Sequence, residues 1–271
     1  MTSADGGGAA LRISDLSYSY DGIAALRGVS LDVAPGTVCC VLGPNGAGKT
    51  TLGGCIAGLL RTGKGTVLLD GVDVSEEPLH RRARRGVAYV PGGGDIFPAL
   101  TVAENLMIGA ASVSRPARRE MIEKAAQIFP VVGSRSNSQA GMLSGGEQQM
   151  VSLARILVTE PRLAVIDELS HGLAPAIVDQ LFRTLAARKG STTFLLIEQY
   201  LQRSYALADE LLVLSRGEAT YSGLTADASR AEIESSYLGD GDPARAARAG
   251  AAATEAVNGF RTTNSTKETT E

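Results

Sequence analysis

The chain contains no tryptophan, only 4% aromatic residues, and a net charge of −3 over 271 residues. Scarce aromatics remove the stacking platforms on which single-stranded nucleic acid lies. The slightly acidic balance removes the basic footprint that a phosphate backbone requires. No nucleic-acid partner is therefore expected. Cysteine is scarce too. Cys39, Cys40 and Cys55 make an odd count without metal-ligand spacing, and Cys39 and Cys40 sit in an apolar run. They read as reduced core residues of a protein in a reducing compartment. Long apolar runs are missing as well. None approaches the roughly 18–20 residues of a membrane-spanning helix, and no signal-peptide pattern opens the sequence. Any link to a membrane is expected to run through a partner.

What is present is an α/β pattern. The hydrophobic content of 44% suffices for one large domain or two small ones. Short apolar runs at "TVCCVLG" (37–43), "GVAYVP" (86–91), "RLAVIDE" (162–168) and "TTFLLIE" (192–198) read as buried strands. "GTVLLDG" (65–71) turns at Asp70-Gly71, and "ELLVLSRGEATYSG" (210–223) is a hairpin around Arg216-Gly217. Helices are expected over Lys49–Leu60, from the Thr101/Glu104 capping box to about Ala110, over 118–129, and after Ser144. Alternation of strands and helices implies a mostly parallel sheet covered on both faces. The helix-rich stretch from about 96 to 158 is expected to form a helical subdomain, with 11–239 as the folded domain. The glycine-rich residues 1–10 are expected to be flexible. The Ala/Gly/Thr-rich residues 240–271 are expected to be a disordered tail.

Two segments carry phosphate chemistry. "GPNGAGKT" (43–50) fits G-x-x-x-x-G-K-[ST] between a strand and a helix, the context this motif requires. Gly43, Pro44, Asn45, Gly46, Ala47 and Gly48 form the loop, whose backbone N–H groups can wrap a polyphosphate. Lys49 is suited to the β- and γ-phosphates, Thr50 to Mg²⁺, and Thr51 extends the binding loop. At the far end of "LAVIDE", Asp167 is placed to hold Mg²⁺ and Glu168 to orient or deprotonate an attacking water. "LSGGEQQM" (143–150) is a second anion site: a capping box of Ser144 and Glu147 around Gly145 and Gly146 at a helix start.

With the phosphate loop, "LSGGE" and "LAVIDE" in this order, the chain resembles the ATP-binding subunits of ABC transporters over roughly residues 11–239. The resemblance implies a P-loop NTPase fold of ABC type, with a mostly parallel core, an antiparallel β subdomain and a helical subdomain. It implies ATP and Mg²⁺ as cofactors and a head-to-tail pair of ATPase subunits. In such a pair Ser144, Gly145, Gly146 and Glu147 close over the ATP of the partner. Tyr20 matches the aromatic that stacks on adenine, and "LSHGLA" (169–174), with His171, matches the loop that crosses to the partner. His80, in "HRRARR", reads as solvated. Transmembrane permease subunits and, indirectly, an extracytoplasmic binding protein are further implied partners. The implied place is the cytoplasmic face of the cell membrane, as a peripheral subunit.

Three positions depart from the pattern. Gly92 stands where the family has Gln or Glu, Gln199 where it has a switch histidine, and Leu169 where Pro follows the Asp-Glu pair. Gln199 can hydrogen-bond a γ-phosphate but cannot take a proton; with Glu168 and Lys49 it completes the expected catalytic set. "GLAP" and "IEQ" resemble the smaller ATPase subunit of branched-chain amino-acid importers, whose relatives also serve amides and urea. An exporter ATPase, or a catalytically weak regulatory half of a heterodimeric pair, are the alternatives.

Overall fold

Three five-residue runs set the architecture, because every residue in each is buried. They are VCCVL (β3, Val38–Leu42), LAVID (β7, Leu163–Asp167) and TFLLI (β8, Thr193–Ile197). Such unbroken apolar runs suit the middle of a parallel sheet covered on both faces. The computed structural model describes residues 7–92, 96–108, 115–170, 172–198, 205–228 and 233. Among them, six strands form one sheet in the order β10-β9-β3-β8-β7-β6, with β6 at Val87–Val90, β9 at Glu210–Ser215 and β10 at Glu218–Leu224. The five strands from β9 to β6 run parallel, and β10 pairs antiparallel at the edge. A second, antiparallel sheet has the order β2-β1-β4-β5, built from β1 (Leu11–Tyr20), β2 (Ile23–Val33), β4 (Lys64–Leu69) and β5 (Val72–Asp73).

The helix that follows the phosphate loop, α1 (Lys49–Ala57), lies between the two sheets. Its Leu52, Cys55 and Ile56 share a core with Cys39, Val41, Val165 and Ile197 of one sheet and Leu11, Leu16 and Val29 of the other. The opposite face of the parallel sheet, with Cys40, Leu42, Ile166 and Leu196, is covered by α6 (Gly145–Leu157) and α7 (Pro175–Ala186). Alternation of side chains along a strand thus sends Cys39 and Cys40 into separate cores. A short helix, α2 (Leu79–Arg84), precedes β6. Between β6 and β7 the described elements are helices: α3 (Val102–Ile108), α4 (Arg115–Ile128), α5 (Pro130–Ser134) and then α6 after a 3-10 turn. Leu106, Ala125, Phe129 and Val132 join these helices to the core around α6.

Two local expectations are corrected. The first helix ends at Ala57 rather than Leu60, because Gly58 takes φ 79° and its N–H turns back to the Cys55 and Gly54 carbonyls. The last four residues of the stretch expected to be flexible, 7–10, are bound. Gly8 N–H donates to Gly190 O at 3.2 Å, Ala9 N–H to Arg162 O at 2.9 Å, and Thr193 Oγ1 donates to Ala9 O at 2.7 Å. Residues 1–6 and the tail 240–271 lie outside the described residues.

Candidate functional site

β3 ends at Leu42, and the next six residues close a loop that only glycine can build at its ends. A Cβ on Gly43 would lie 2.2 Å from Leu214 O, and one on Gly48 2.5 Å from Ala25 O. Gly43, Gly46 and Gly48 all have positive φ, at 152°, 80° and 102°. Pro44, Asn45 and Gly46 are exposed and Ala47 is buried, its carbonyl taking the Gly217 N–H at 3.0 Å. Lys49 begins the helix, only 6% exposed, and its Nζ donates to Gly43 O at 2.8 Å and Pro44 O at 3.0 Å. The ammonium thus sits inside the loop, held by carbonyls. Burial lowers its pKa, against the opposing pull of Glu168 and Asp167.

Those carboxylates come from the end of β7. Asp167 is 2% exposed, and burial raises its pKa; a hydrogen bond from Thr50 and the charge of Lys49 act the other way. Its Oδ1 is buried with no hydrogen-bond partner. A buried carboxylate oxygen left unpaired beside a helix-start hydroxyl is what a divalent cation would complete, so Thr50 and Asp167 fit Mg²⁺. Glu168 is partly buried, has a left-handed φ of 48°, and donates its N–H to Ile197 O at 2.8 Å. Gly92 lies beside it: a Cβ there would meet Glu168 Cβ at 3.4 Å and Oε2 at 3.6 Å. No side chain reaches Glu168 from that position.

Tyr20 ends β1, 47% exposed, with its hydroxyl 3.4 Å from Thr51 Oγ1 and its ring edge-on to Tyr18 at 4.8 Å. The antiparallel sheet thereby brings one exposed aromatic face to the phosphate-loop helix. Tyr89 on β6 is a neighbour that sequence reasoning passed over. Its pKa is pushed up to about 12 by burial, with Asp167 and Tyr20 adding to the shift. Its place in an apolar strand gave no sign of this proximity.

The signature segment behaves as its capping box dictates. Ser144 Oγ accepts from Glu147 N–H at 3.4 Å, and Glu147 Oε2 accepts from Ser144 N–H at 2.8 Å. Ser144 and Gly145 are exposed, and a Cβ on Gly145 would meet nothing within 4 Å. The helix start is therefore open. It belongs to α6, which covers one face of the parallel sheet, whereas the phosphate-loop helix α1 covers the other. Gln199 and His171 lie outside the described residues, and Leu169 is buried in the core around α6.

A glycine loop between a parallel strand and a helix, with a buried lysine and an aspartate at the next-but-one strand end, defines a P-loop nucleotide-binding protein. The particular family follows from comparison with known proteins. The ABC transporter family matches residues 26–171. The chain is 36% identical over 209 residues to the high-affinity branched-chain amino acid transport ATP-binding protein BraG of Pseudomonas aeruginosa, covering 76% of this chain and 89% of that protein. It is 35% identical over 215 residues to the probable branched-chain amino acid transport ATP-binding protein LivF of Archaeoglobus fulgidus, covering 79% and 91%. It is also 31% identical over 237 residues to the lipopolysaccharide export system ATP-binding protein LptB of Escherichia coli, covering 86% and 98%. Among solved structures, the ADP conformation of the ABC-transporter ATP-binding cassette MJ1267 superposes with a TM-score of 0.71 at 29% identity, covering 86% of this chain and 99% of that one. The chain belongs to the ABC transporter family; it is an ATP-binding subunit of an ABC transporter and an ATPase.

Proposed function

We propose that this chain powers an importer for branched-chain amino acids or related amides or urea, working as one of a pair of ATPase subunits on the cytoplasmic face of the membrane. The observation that carries the nucleotide reading is the buried Lys49 ammonium inside the glycine loop, under the charge of an Asp167 that keeps one buried oxygen unpaired. ATP binding replaces the Gly43 and Pro44 carbonyls around Lys49 with β- and γ-phosphate oxygens, and the loop N–H groups hold the rest of the polyphosphate. Tyr20 stacks on the adenine. Thr50 and Asp167 would hold Mg²⁺, which neutralises phosphate charge when bound. Water attacks the γ-phosphorus while Glu168 orients it and accepts its proton. The bond from the γ-phosphorus to the bridging oxygen breaks, giving ADP and phosphate. Gln199 donates its amide to the γ-phosphate.

Because α1 and α6 cover opposite faces of one sheet, Ser144, Gly145 and Gly146 serve the nucleotide of a second subunit, in a reciprocal pair. The importer reading is supported by the relatives BraG and LivF and by "GLAP" and "IEQ" in the chain itself. The exporter reading has the LptB relatives behind it. Purification of this chain from detergent-solubilised native membranes separates them. Co-recovery of permeases, a second ATPase and an extracytoplasmic binding protein is the expected result. A permease without a binding protein would establish export, and recovery without any membrane partner would overturn both readings.

A further inference from the structure

Two buried polar side chains join the segments that leave β7 and β8. Ser170 is 5% exposed and Glu198 2%. Ser170 N–H donates to Glu198 Oε1 at 3.2 Å, and Ser170 Oγ donates to Oε2 at 2.6 Å. Both oxygens of one buried carboxylate are thus engaged by a single residue. Glu198 is fixed in turn by its own N–H, which donates to Val41 O at 3.1 Å, next to the strand end that opens the phosphate loop. Glu168 donates its N–H to Ile197 O, one residue before Glu198.

The positions in sequence give this clamp its interest. Ser170 follows Glu168 by two residues, and Glu198 immediately precedes Gln199. Leu169 and Ile197, beside the pair in sequence, are core residues. Burying a carboxylate there is costly, and charge-assisted bonds offset that cost. Apolar side chains of similar volume often serve stability as well as or better than such a pair, so its distinctive effect is a defined geometry. Neighbouring residues along the chain are only about 3.8 Å apart at Cα, so the clamp sets how far the loop after Glu168 can drift from the end of β8.

We infer that Glu198 is a positioning residue for ATP hydrolysis: through Ser170 it ties the loop leaving Glu168 to the end of β8, so that the water-orienting carboxylate keeps a fixed place against that strand end. This rests on the role proposed above for Glu168. Neither clamp residue touches nucleotide. Loosening the clamp acts on kcat and leaves ATP affinity alone.

Ser170→Ala, Glu198→Ala, the double variant and Glu198→Gln test this in the full chain. Each single alanine variant is expected to lower kcat by about ten- to a hundred-fold, with KM within about two-fold of wild type and no further loss in the double variant. Glu198→Gln is expected to recover most of the rate, because its amide can accept from Ser170 N–H and donate to Ser170 Oγ. Wild-type kcat in Ser170→Ala, additive losses, or a Glu198→Gln chain as slow as Glu198→Ala would overturn the clamp. Hydrogen exchange reads the same coupling without turnover. Ser170→Ala is expected to speed exchange in peptides covering 193–201, and Glu198→Ala in those covering 168–174. Faster exchange confined to the segment carrying each substitution would also overturn it. Glu168→Gln, run in parallel, separates the two readings: wild-type turnover there removes the proposed role of Glu168, and the exchange arm still decides the clamp.

Discussion

Asp167 keeps a carboxylate where little water reaches it. The native pKa is raised above the ordinary 3.8, with burial the leading cause, so the folded state holds the proton more tightly than the unfolded chain. The stability this group contributes is therefore present below its ordinary pKa and is lost as pH rises through the folded value. Asp167→Asn removes the charged form. In thermal unfolding of the nucleotide-free chain at neutral pH, this variant is expected to gain about 2–4 °C, the response of a domain this size to ~1 kcal/mol. The gain should vanish as pH falls toward 4, and MgATP should stabilise the wild type far more than the variant. Gly92 presents the opposite case, a missing group. A Cβ there makes only ordinary contact with Glu168, so Gly92→Gln can start its side chain without a clash at Cβ. Steady-state ATPase assays are expected to show turnover raised by at least about ten-fold, because a side-chain amide then stands beside the carboxylate proposed to orient the attacking water. The places of Lys49, Thr50, Asp167 and Glu168 at strand and helix ends were legible in the sequence, because motif spacing fixes them there. Glu198 and Tyr89 were not, since an acid or a phenol at the edge of an apolar run carries no sign of which strand lies next to it.

At the scale of elements, the end of α1 depends on a residue that the sequence disguises. His80, in the basic run "HRRARR", reads as solvated, and His80, Arg81 and Arg84 are exposed, yet Arg82 is 0% exposed. Its guanidinium donates to Cys55 O at 2.6 Å and Ile56 O at 2.7 Å, in the last turn of α1, and to Ser75 O and Glu77 O at 2.9 and 2.8 Å. A cation at a helix C-terminus meets unpaired carbonyls and the negative end of the dipole. Arg82→Leu leaves four buried or half-buried carbonyls without this donor. Urea unfolding should show a loss of about 3 kcal/mol or more. Arg82→Lys should recover only part of it, because an ammonium cannot span all four carbonyls. Turn chemistry was more legible. Asp70-Gly71 and Arg216-Gly217 both take the positive-φ pair that joins two strands in two residues. Asp21-Gly22 does the same between β1 and β2.

For the whole molecule, the parallel sheet is a partition. The helix that follows the phosphate loop lies on one side, and the helix that Ser144 caps lies on the other. Glu168→Gln is expected to retain ATP and accumulate a closed pair, alone or with a second ATPase subunit, visible by light scattering. Adding Gly145→Trp should abolish that association. Its Cβ meets nothing within 4 Å, so the fold should tolerate it, with stability changed by no more than about 0.5 kcal/mol. An association that survives this bulk would remove Gly145 from the interface. The mostly parallel core was readable from strand and helix alternation. The bound residues 7–10 were not, because Gly7, Gly8 and Ala9 pair with Arg162, Gly190 and Thr193, more than 150 residues away, and Ala10 pairs with Asp70; glycine-rich composition gives no hint of such distant partners.

The three cysteines add one consequence. Cys39 and Cys40 face opposite cores of the same strand, Cys55 lies in α1 against the second sheet, and all three are buried. Burial pushes the Cys39 thiol well above its ordinary value and that of Cys55 up to about 11, away from the reactive thiolate. The native surface is therefore silent toward thiol reagents. The chain carries a built-in gauge of its own unfolding, because each thiol becomes modifiable only when the core around it opens.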